Sequence, residues 1–134
     1  MFRVKFCREV ALKILFPLDL LQVPAARARQ EAEEALGQVR GLTADEHKFV
    51  LELVTIATEH QAEIDRQISD HLVGWKLSRL IAIDRCLLRL GIAEGRLDPA
   101  KKPIIIDDVL RIAKKYSEAD SYKIINAVLD RVIS

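Results

Sequence analysis

The chain has 134 residues, of which 50% are hydrophobic, 31% are charged and 5% are aromatic, and its formal net charge is +1. This composition predicts one folded domain over residues 1–134 and excludes a disordered chain, which would combine low hydrophobicity with high net charge. Two cysteines are too few for a disulfide framework, and no apolar run approaches the roughly 20 residues of a membrane span. Because no signal peptide opens the chain, we expect a cytoplasmic protein.

The near-zero net charge hides a segregated distribution. Residues 1–30 carry six basic and two acidic side chains, residues 31–70 carry three and ten, and residues 71–134 carry twelve and eight. Two basic segments that meet on one face could attract a polyanion although the total charge is close to zero. The alternative is that the solvated faces of different helices simply differ in charge.

In the first half of the chain, apolar residues recur at steps of three and four from Val4 to Leu21, which predicts a helix. We expect a kink or a break at Pro17, since proline lacks an amide hydrogen. A second helix is predicted from Pro24 to Gly41, both of which suit helix boundaries.

Thr43 and Glu46 have the spacing of a capping box at the start of a third helix. Its apolar stripe continues to about Leu72, and its outer face is acidic. The sequence therefore predicts one long helix that carries most of the central negative charge.

In the second half, Gly74 interrupts the helical pattern, and a short helix over 75–81 and a buried helix over 83–93 are predicted after it. Glycine, aspartate and proline predict a loop over 95–103. Residues 104–106 are predicted to be an extended segment that precedes the next helix.

A further helix is predicted to open at Asp107 or Asp108 and to reach about Tyr116. The last helix begins near Asp120 or Ser121. These patterns predict an all-α fold of six or seven helices.

No pattern in the chain points to catalysis. The five glycines are scattered, so no phosphate-binding loop is expected, and neither Cys-x-x-Cys nor His-Glu-x-x-His occurs. Cys7 and Cys86 lie on apolar stripes, which favours buried structural thiols over nucleophiles. The sequence predicts no enzyme, no cofactor and no metal.

The basic segments are better candidates for function, because lysine and arginine neutralise phosphates. The first contains Arg3, Lys5, Arg8 and Lys13, and the second contains Arg111, Lys114, Lys115 and Lys123. Aromatic rings that could stack on unpaired bases are those of Phe2, Phe6 and Tyr122. For Phe6 the alternative is a core position.

Several motifs resemble the NusB transcription antitermination family. They are Trp75-Lys-Leu-Ser-Arg-Leu, Ile83-Asp-Arg-Cys-Leu-Leu-Arg89-Leu, Pro103-Ile-Ile-Ile-Asp-Asp-Val-Leu-Arg-Ile-Ala-Lys-Lys-Tyr116 and Ala119-Asp-Ser-Tyr-Lys-Ile-Ile-Asn126-Ala-Val-Leu-Asp130. The opening Cys7-Arg-Glu-Val-Ala-Leu-Lys-Ile-Leu-Phe16 is similar to the start of that family. The resemblance spans the whole chain and is sharpest from Trp75 onward.

The resemblance implies two packed three-helix bundles and a non-enzymatic protein. It implies binding to boxA-type RNA of ribosomal RNA transcripts, together with the ribosomal protein NusE, as part of the transcription elongation complex. Some members of the family also form homodimers. The RNA contacts implied by matching positions are Arg3, Lys5, Arg8, Arg89, Asp120 and Lys123, and the NusE contacts are Phe16, Leu20 and Asp84.

The chain also departs from the family pattern. Val4 and Phe6 interrupt the N-terminal basic run, and Ile124 replaces a phenylalanine. Fewer phosphate contacts predict weaker and less salt-sensitive RNA binding. Two alternatives therefore remain: a stand-alone RNA-recognition domain related to ribosomal RNA cytosine methyltransferases, and a homodimeric helical interaction module with weakened RNA binding.

Three residues in these motifs have a structural interpretation. Trp75 is expected to be a core anchor between the bundles. Asn126 is expected to bond a buried backbone group, and Asp120 to cap the last helix.

Overall fold

The computed structural model describes all 134 residues and contains helices and no strands. Its seven α-helices are α1 (Val4–Leu20), α2 (Ala25–Gly37), α3 (Ala44–Glu59), α4 (Gln61–Asp70), α5 (Ala82–Leu97), α6 (Lys102–Tyr116) and α7 (Ser121–Val132). Two short 3₁₀ turns, Leu77–Arg79 and Pro99–Lys101, precede α5 and α6. The all-α prediction is confirmed.

The helices form two bundles around one continuous hydrophobic core. Helices α1, α2 and α3 pack against one another, as do α5, α6 and α7. Helix α5 also packs on α1, α3 and α4, and so it joins the two groups. The most apolar stretch of α5, Cys86 to Leu90, is accordingly buried on almost every side.

Helix α1 continues through Pro17, so of the kink or break that the sequence predicted there, the break does not occur. Helical hydrogen bonds continue past it, since Leu21 donates to the Pro17 carbonyl over 3.0 Å. Pro17 itself is exposed, whereas Leu15 before it is buried in the core. Packing of the buried face holds the helix together, and the missing hydrogen bond falls on the solvent side.

The capping box is confirmed: the Glu46 amide donates to Thr43 Oγ1 over 3.1 Å, and the Thr43 amide donates to Glu46 Oε1 over 3.0 Å. The single long helix after it is wrong, because the chain leaves helical geometry at His60 and restarts as α4. The Thr58 hydroxyl donates to the Val54 carbonyl over 2.7 Å, a bond that bends helices. After this interruption, α4 packs on α5.

The segment around Trp75 also differs from its prediction. Only Leu77–Arg79 forms a 3₁₀ turn, and Trp75 is 55% exposed rather than a core anchor. Gly74 has a φ of +77°, a left-handed conformation that suits glycine and turns the chain before the bulky indole. Leu80, 5% exposed, supplies the apolar anchor instead.

The predicted loop over 95–103 is mostly helical. Gly95 lies inside α5, where its missing side chain allows Ile133 to approach: an added Cβ would lie 2.9 Å from two Ile133 carbons. Pro103 lies in the first turn of α6, where proline is compatible with a helix.

Residues 104–106 are therefore helical and not extended. Ile105 is completely buried, and this burial outweighs the modest strand preference of a β-branched residue. Neither Asp107 nor Asp108 opens the helix.

The last helix begins at Ser121, as predicted, but two side-chain roles there are wrong. Asp120 occupies the cap position of α7 without a side-chain capping bond. Asn126 is exposed and therefore has no buried backbone group to satisfy.

Candidate nucleic-acid interface

The two basic segments meet on one face, as the charge pattern required. The start of α1, the outer side of α6 and the start of α7 enclose a groove of about 1050 Å³. Lys5, Arg111, Lys114 and Tyr122 line it, and we call it the α1–α6–α7 groove. Residues about 110 positions apart in sequence thus present cations and an aromatic ring to one space.

Lys5 and Lys114 are the most available cations of this groove. Both are exposed and neither has a carboxylate partner. The Tyr122 ring is 51% exposed, and Asp120 and Lys123 flank it in sequence and are exposed as well. Such a surface can bind phosphates through the lysines and stack an unpaired base on the ring.

Arg8 lies beneath this groove and does not belong to its exposed surface. The residue is only 1% exposed. Its Nε and Nη2 donate to the two oxygens of Glu94 over 2.7 and 2.6 Å, and its Nη1 donates to Asp108 over 2.9 Å. Burial acts to lower the pKa of Arg8, but the hydrogen bonds and negative charges of Glu94 and Asp108 outweigh this effect, so the pKa of Arg8 is raised overall. Arg8 therefore joins α1 to α5 and α6, and its guanidinium is not free to bind a phosphate.

Arg3 is bound to the start of α3. Its Nε and Nη2 donate to Glu46 over 2.9 and 2.8 Å, and Nη2 also reaches the Gly41 carbonyl over 2.7 Å. These hydrogen bonds, with those from the Thr43 and Arg3 amides, hold the pKa of Glu46 far below its usual range. Arg3 is 44% exposed at its side chain, so it remains accessible although it is paired.

The aromatic residues of the N-terminal segment join this contact. The Phe2 ring packs edge-on against Phe49 of α3, with centroids 5.5 Å apart, and the guanidinium of Arg3 lies 4.6 Å from the Phe6 centroid. Phe6 is 41% exposed, so its core alternative is wrong.

Arg89 lies outside the groove, in a smaller pocket of about 390 Å³ between α1, α3 and α5. It is 7% exposed, and it donates to Asp65 over 2.7 and 3.0 Å and to Asp19 over 2.7 Å. Burial acts to lower the pKa of Arg89, but the two carboxylates raise it overall. Arg89 therefore lines a different pocket from Lys5.

Phe16, Leu20 and Asp84, the residues that the family resemblance implies as contacts of a protein partner, do not form one exposed patch. Leu20, at the end of α1, is 61% exposed, and Phe16 one turn earlier is partly buried against the core. Asp84 is only 4% exposed. Its two oxygens accept hydrogen bonds from the hydroxyls of Ser117 and Ser121 over 2.5 and 2.6 Å. Asp84 thus fastens the start of α7 to α5.

The two cysteines are buried and unpaired, as predicted. Burial raises the pKa of Cys7 to about 11 and that of Cys86 to about 12, so both are protonated thiols near neutral pH. No group of three or more histidine, cysteine or acidic side chains is placed to hold a metal ion. No helix has both the length and the apolar character needed to cross a membrane.

Comparison with known proteins agrees with the fold and the motifs. The model of the NusB family matches residues 7–134. The chain belongs to the NusB family. The transcription antitermination protein NusB of Solibacter usitatus is 35% identical over 125 residues, which cover 93% of this chain and 84% of that protein. The NusB of Myxococcus xanthus is 34% identical over 126 residues, covering 93% and 90%.

Solved structures of similar shape include T. maritima NusB, with a TM-score of 0.86 and 27% identity over 99% of this chain and 92% of that one. A chain in a structure described as a crystal structure of a plectonemic RNA supercoil has a TM-score of 0.83 and 29% identity, covering 98% and 94%. The resemblance to NusB proteins and the all-helical architecture predicted from sequence are therefore confirmed. The named relatives are transcription antitermination proteins, so this family is regulatory.

Sequence reasoning missed the acidic partners that occupy the arginines of this NusB-family chain. They are Glu9, Asp19, Glu46, Asp65, Glu94 and Asp108. For Asp108 a signal was available, because it lies three residues after Ile105 and four before Ile112 on the buried face of α6. A charged residue on an apolar stripe needs a buried partner of opposite charge.

Proposed function

We propose that this chain binds boxA-type RNA of ribosomal RNA transcripts together with the ribosomal protein NusE, and so contributes to antitermination within the transcription elongation complex. The observation that carries the proposal is the α1–α6–α7 groove, where Lys5, Lys114 and the exposed Tyr122 ring lie together. Membership of a transcription antitermination family supports the same function.

The proposed RNA contacts are Lys5, Lys114 and Tyr122 in the groove, with Asp120 and Lys123 beside it and Arg3 at its N-terminal edge. Lys114 and Tyr122 are added because they line the groove. Arg8 and Arg89 are assigned positioning roles, since their donors are engaged by buried or partly buried carboxylates. Because these two arginines are not available to bind phosphates, few phosphate contacts remain, and we expect modest RNA affinity for the chain alone.

The proposed NusE surface is the C-terminal end of α1. Leu20 and Leu21 are 61% and 75% exposed and are followed by a turn in which Gln22 has a positive φ of 51°. Large exposed apolar side chains side by side are typical of a protein contact. Phe16 supports this surface from the same helix, and Asp84 acts indirectly by holding α7.

The test is a titration of labelled boxA RNA and a scrambled RNA of equal composition, followed by fluorescence anisotropy with and without NusE over a range of salt concentrations. We expect preferential binding of boxA RNA by the NusE complex. Equal binding of both RNAs by the complex, or binding of neither, would refute the proposed function.

Two matched pairs of variants separate the surfaces. Lys5→Ala should weaken RNA binding and reduce the slope of log affinity against log salt by about 0.7, whereas Lys48→Ala on α3, also exposed but outside the groove, should not. Leu20→Ala should weaken NusE binding without changing RNA binding by the chain alone. Leu97→Ala, at the end of α5, is its control.

A further inference from the structure

Glu9 on α1 holds two basic residues of α6: Arg111, which lines the groove, and Lys115, which follows the groove-lining Lys114. Its Oε2 accepts hydrogen bonds from Nη1 and Nη2 of Arg111, both over 3.2 Å. Its Oε1 accepts from Lys115 Nζ over 2.9 Å and from the Tyr116 hydroxyl over 3.1 Å. One carboxylate thus receives four hydrogen bonds from three residues of α6.

The charge of this carboxylate is maintained by its surroundings. Burial raises the pKa of Glu9, but the hydrogen bonds from Lys115, Tyr116 and Arg111 outweigh that effect and lower it. The Glu9 side chain is only 16% exposed, whereas those of Arg111 and Lys115 are 37% and 53% exposed. The cations therefore remain within reach of a ligand while the anion that neutralises them is mostly covered.

The exposure of each ion pair decides whether its cation can exchange the carboxylate for another anion. Ion pairs with solvent-exposed members contribute little stability, because water screens them. The pair of Arg8 with Glu94 is the opposite case, since both side chains are almost fully buried. Lys115 can therefore change partner at small cost. Arg111 can do so through Nη1 and Nη2 while its Nε stays bonded to Asp108 over 2.5 Å, whereas Arg8 is held on all sides.

We propose that Glu9 sets the RNA affinity and the salt dependence of the α1–α6–α7 groove by competing with RNA phosphates for Arg111 and Lys115. Carboxylate and phosphate oxygens accept the same charge-assisted hydrogen bonds from guanidinium and ammonium groups. While Glu9 keeps both cations, Lys5 and Lys114 are the unpaired cations of the groove, and the exposed carboxylates of Asp107 and Glu118 line it as well. This inference rests on the proposed function, since it assigns a determinant of affinity within the same surface.

The experiment compares Glu9→Gln with Glu52→Gln in the RNA titration. Both substitutions add one unit of net positive charge, but Glu52 is exposed on α3 and has no ion-pair partner. Glutamine at position 9 retains the size and an acceptor oxygen without the charge. Releasing one or two cations should steepen the salt slope by about 0.7 to 1.4, which corresponds to about 5- to 25-fold tighter binding at 0.1 M salt.

Lys115→Ala in the wild-type background keeps the test decisive if thermal melting reveals that Glu9→Gln weakens the fold, because a loss of RNA affinity as large as that of Lys5→Ala would overturn the inference. Lys115→Ala should change RNA affinity little in the wild-type background, because Glu9 already neutralises that lysine. In the Glu9→Gln background the same substitution should remove a large part of the gain. An equal effect of Lys115→Ala in both backgrounds overturns the inference, as does a salt slope for Glu9→Gln equal to that of Glu52→Gln.

The outcomes for the two proposals are distinguishable. If the NusE complex fails to prefer boxA RNA, the proposed function is refuted, and the contrast between Glu9→Gln and Glu52→Gln on either RNA still judges the role of Glu9. If no variant binds either RNA at low salt, both proposals are refuted.

Discussion

Replacement of Arg8 tests most directly how this chain uses its arginines. Arg8→Met retains an unbranched side chain of similar length but leaves the Glu94 carboxylate, 2% exposed, with no hydrogen-bond donor at all. Asp108 keeps one partner, Arg111, at 2.5 Å. Removing one member of a buried ion pair costs about 3–5 kcal/mol, because the remaining charge is uncompensated.

A loss of this size is a large fraction of the stability of a domain, which is about 5–15 kcal/mol. With a urea m-value of about 2 kcal/mol/M, the unfolding midpoint should fall by about 2 M urea. The assay is equilibrium urea unfolding followed by circular dichroism. Lys5→Ala is the matched control, since Lys5 is exposed on the same helix and should shift the free energy of unfolding by no more than about 0.5 kcal/mol.

A double variant separates the charge from the volume of the side chain. Arg8→Met combined with Glu94→Leu removes the uncompensated carboxylate and should recover much of the stability lost in Arg8→Met, as whole buried ion pairs replaced by apolar groups often do. Two results would refute the reasoning: a loss below about 1 kcal/mol for Arg8→Met, or a double variant less stable than the single one. A charge reversal at Arg8 is likewise expected to unfold α1, so it cannot report on RNA contact.

Two further predictions concern packing and pH. Gly95→Ala should lower the free energy of unfolding by about 1 kcal/mol, because the new Cβ would lie 2.9 Å from Ile133 and this overpacking outweighs the better helix propensity of alanine. Gly37→Ala has open space around the new Cβ and should raise the free energy of unfolding by up to about 1 kcal/mol. Urea unfolding measures both changes. Burial raises the pKa of Asp19, but hydrogen bonds from Arg85 and Arg89 outweigh this effect and lower the pKa below its ordinary 3.8. The stability that the Asp19 carboxylate provides is therefore present above pH 3.8 and is lost as the pH falls through the lowered pKa. Asp19→Asn should therefore be less stable than the wild type at neutral pH and approach it in acid, and a stability difference independent of pH would contradict this.

The sequence by itself determined the helical class, the family and several local features. Periodic apolar residues and the Thr43–Glu46 spacing encode helices and their starts through contacts a few residues apart, which a single sequence displays directly. The burial of Cys7 and Cys86 followed from the same periodicity.

Where local propensity competed with packing, the tertiary structure decided. Pro17 and the isoleucines at 104–106 lie in unbroken helices, because the buried faces of α1 and α6 are fixed by the core and not by the preference of each residue. Gly95 likewise belongs to a helix that requires a small residue where Ile133 crosses it.

The availability of each basic side chain was decided only by the tertiary structure. Arg3, Lys5 and Arg8 are equivalent as positive charges in the sequence, but Arg8 meets Asp108, 100 residues away, while Lys5 meets no carboxylate. The sequence therefore located the two basic segments, and folding determined that they share a groove and which of their charges remain free. The physical reason is that ion pairing depends on distance in space, which residues far apart in the chain acquire only when the helices pack.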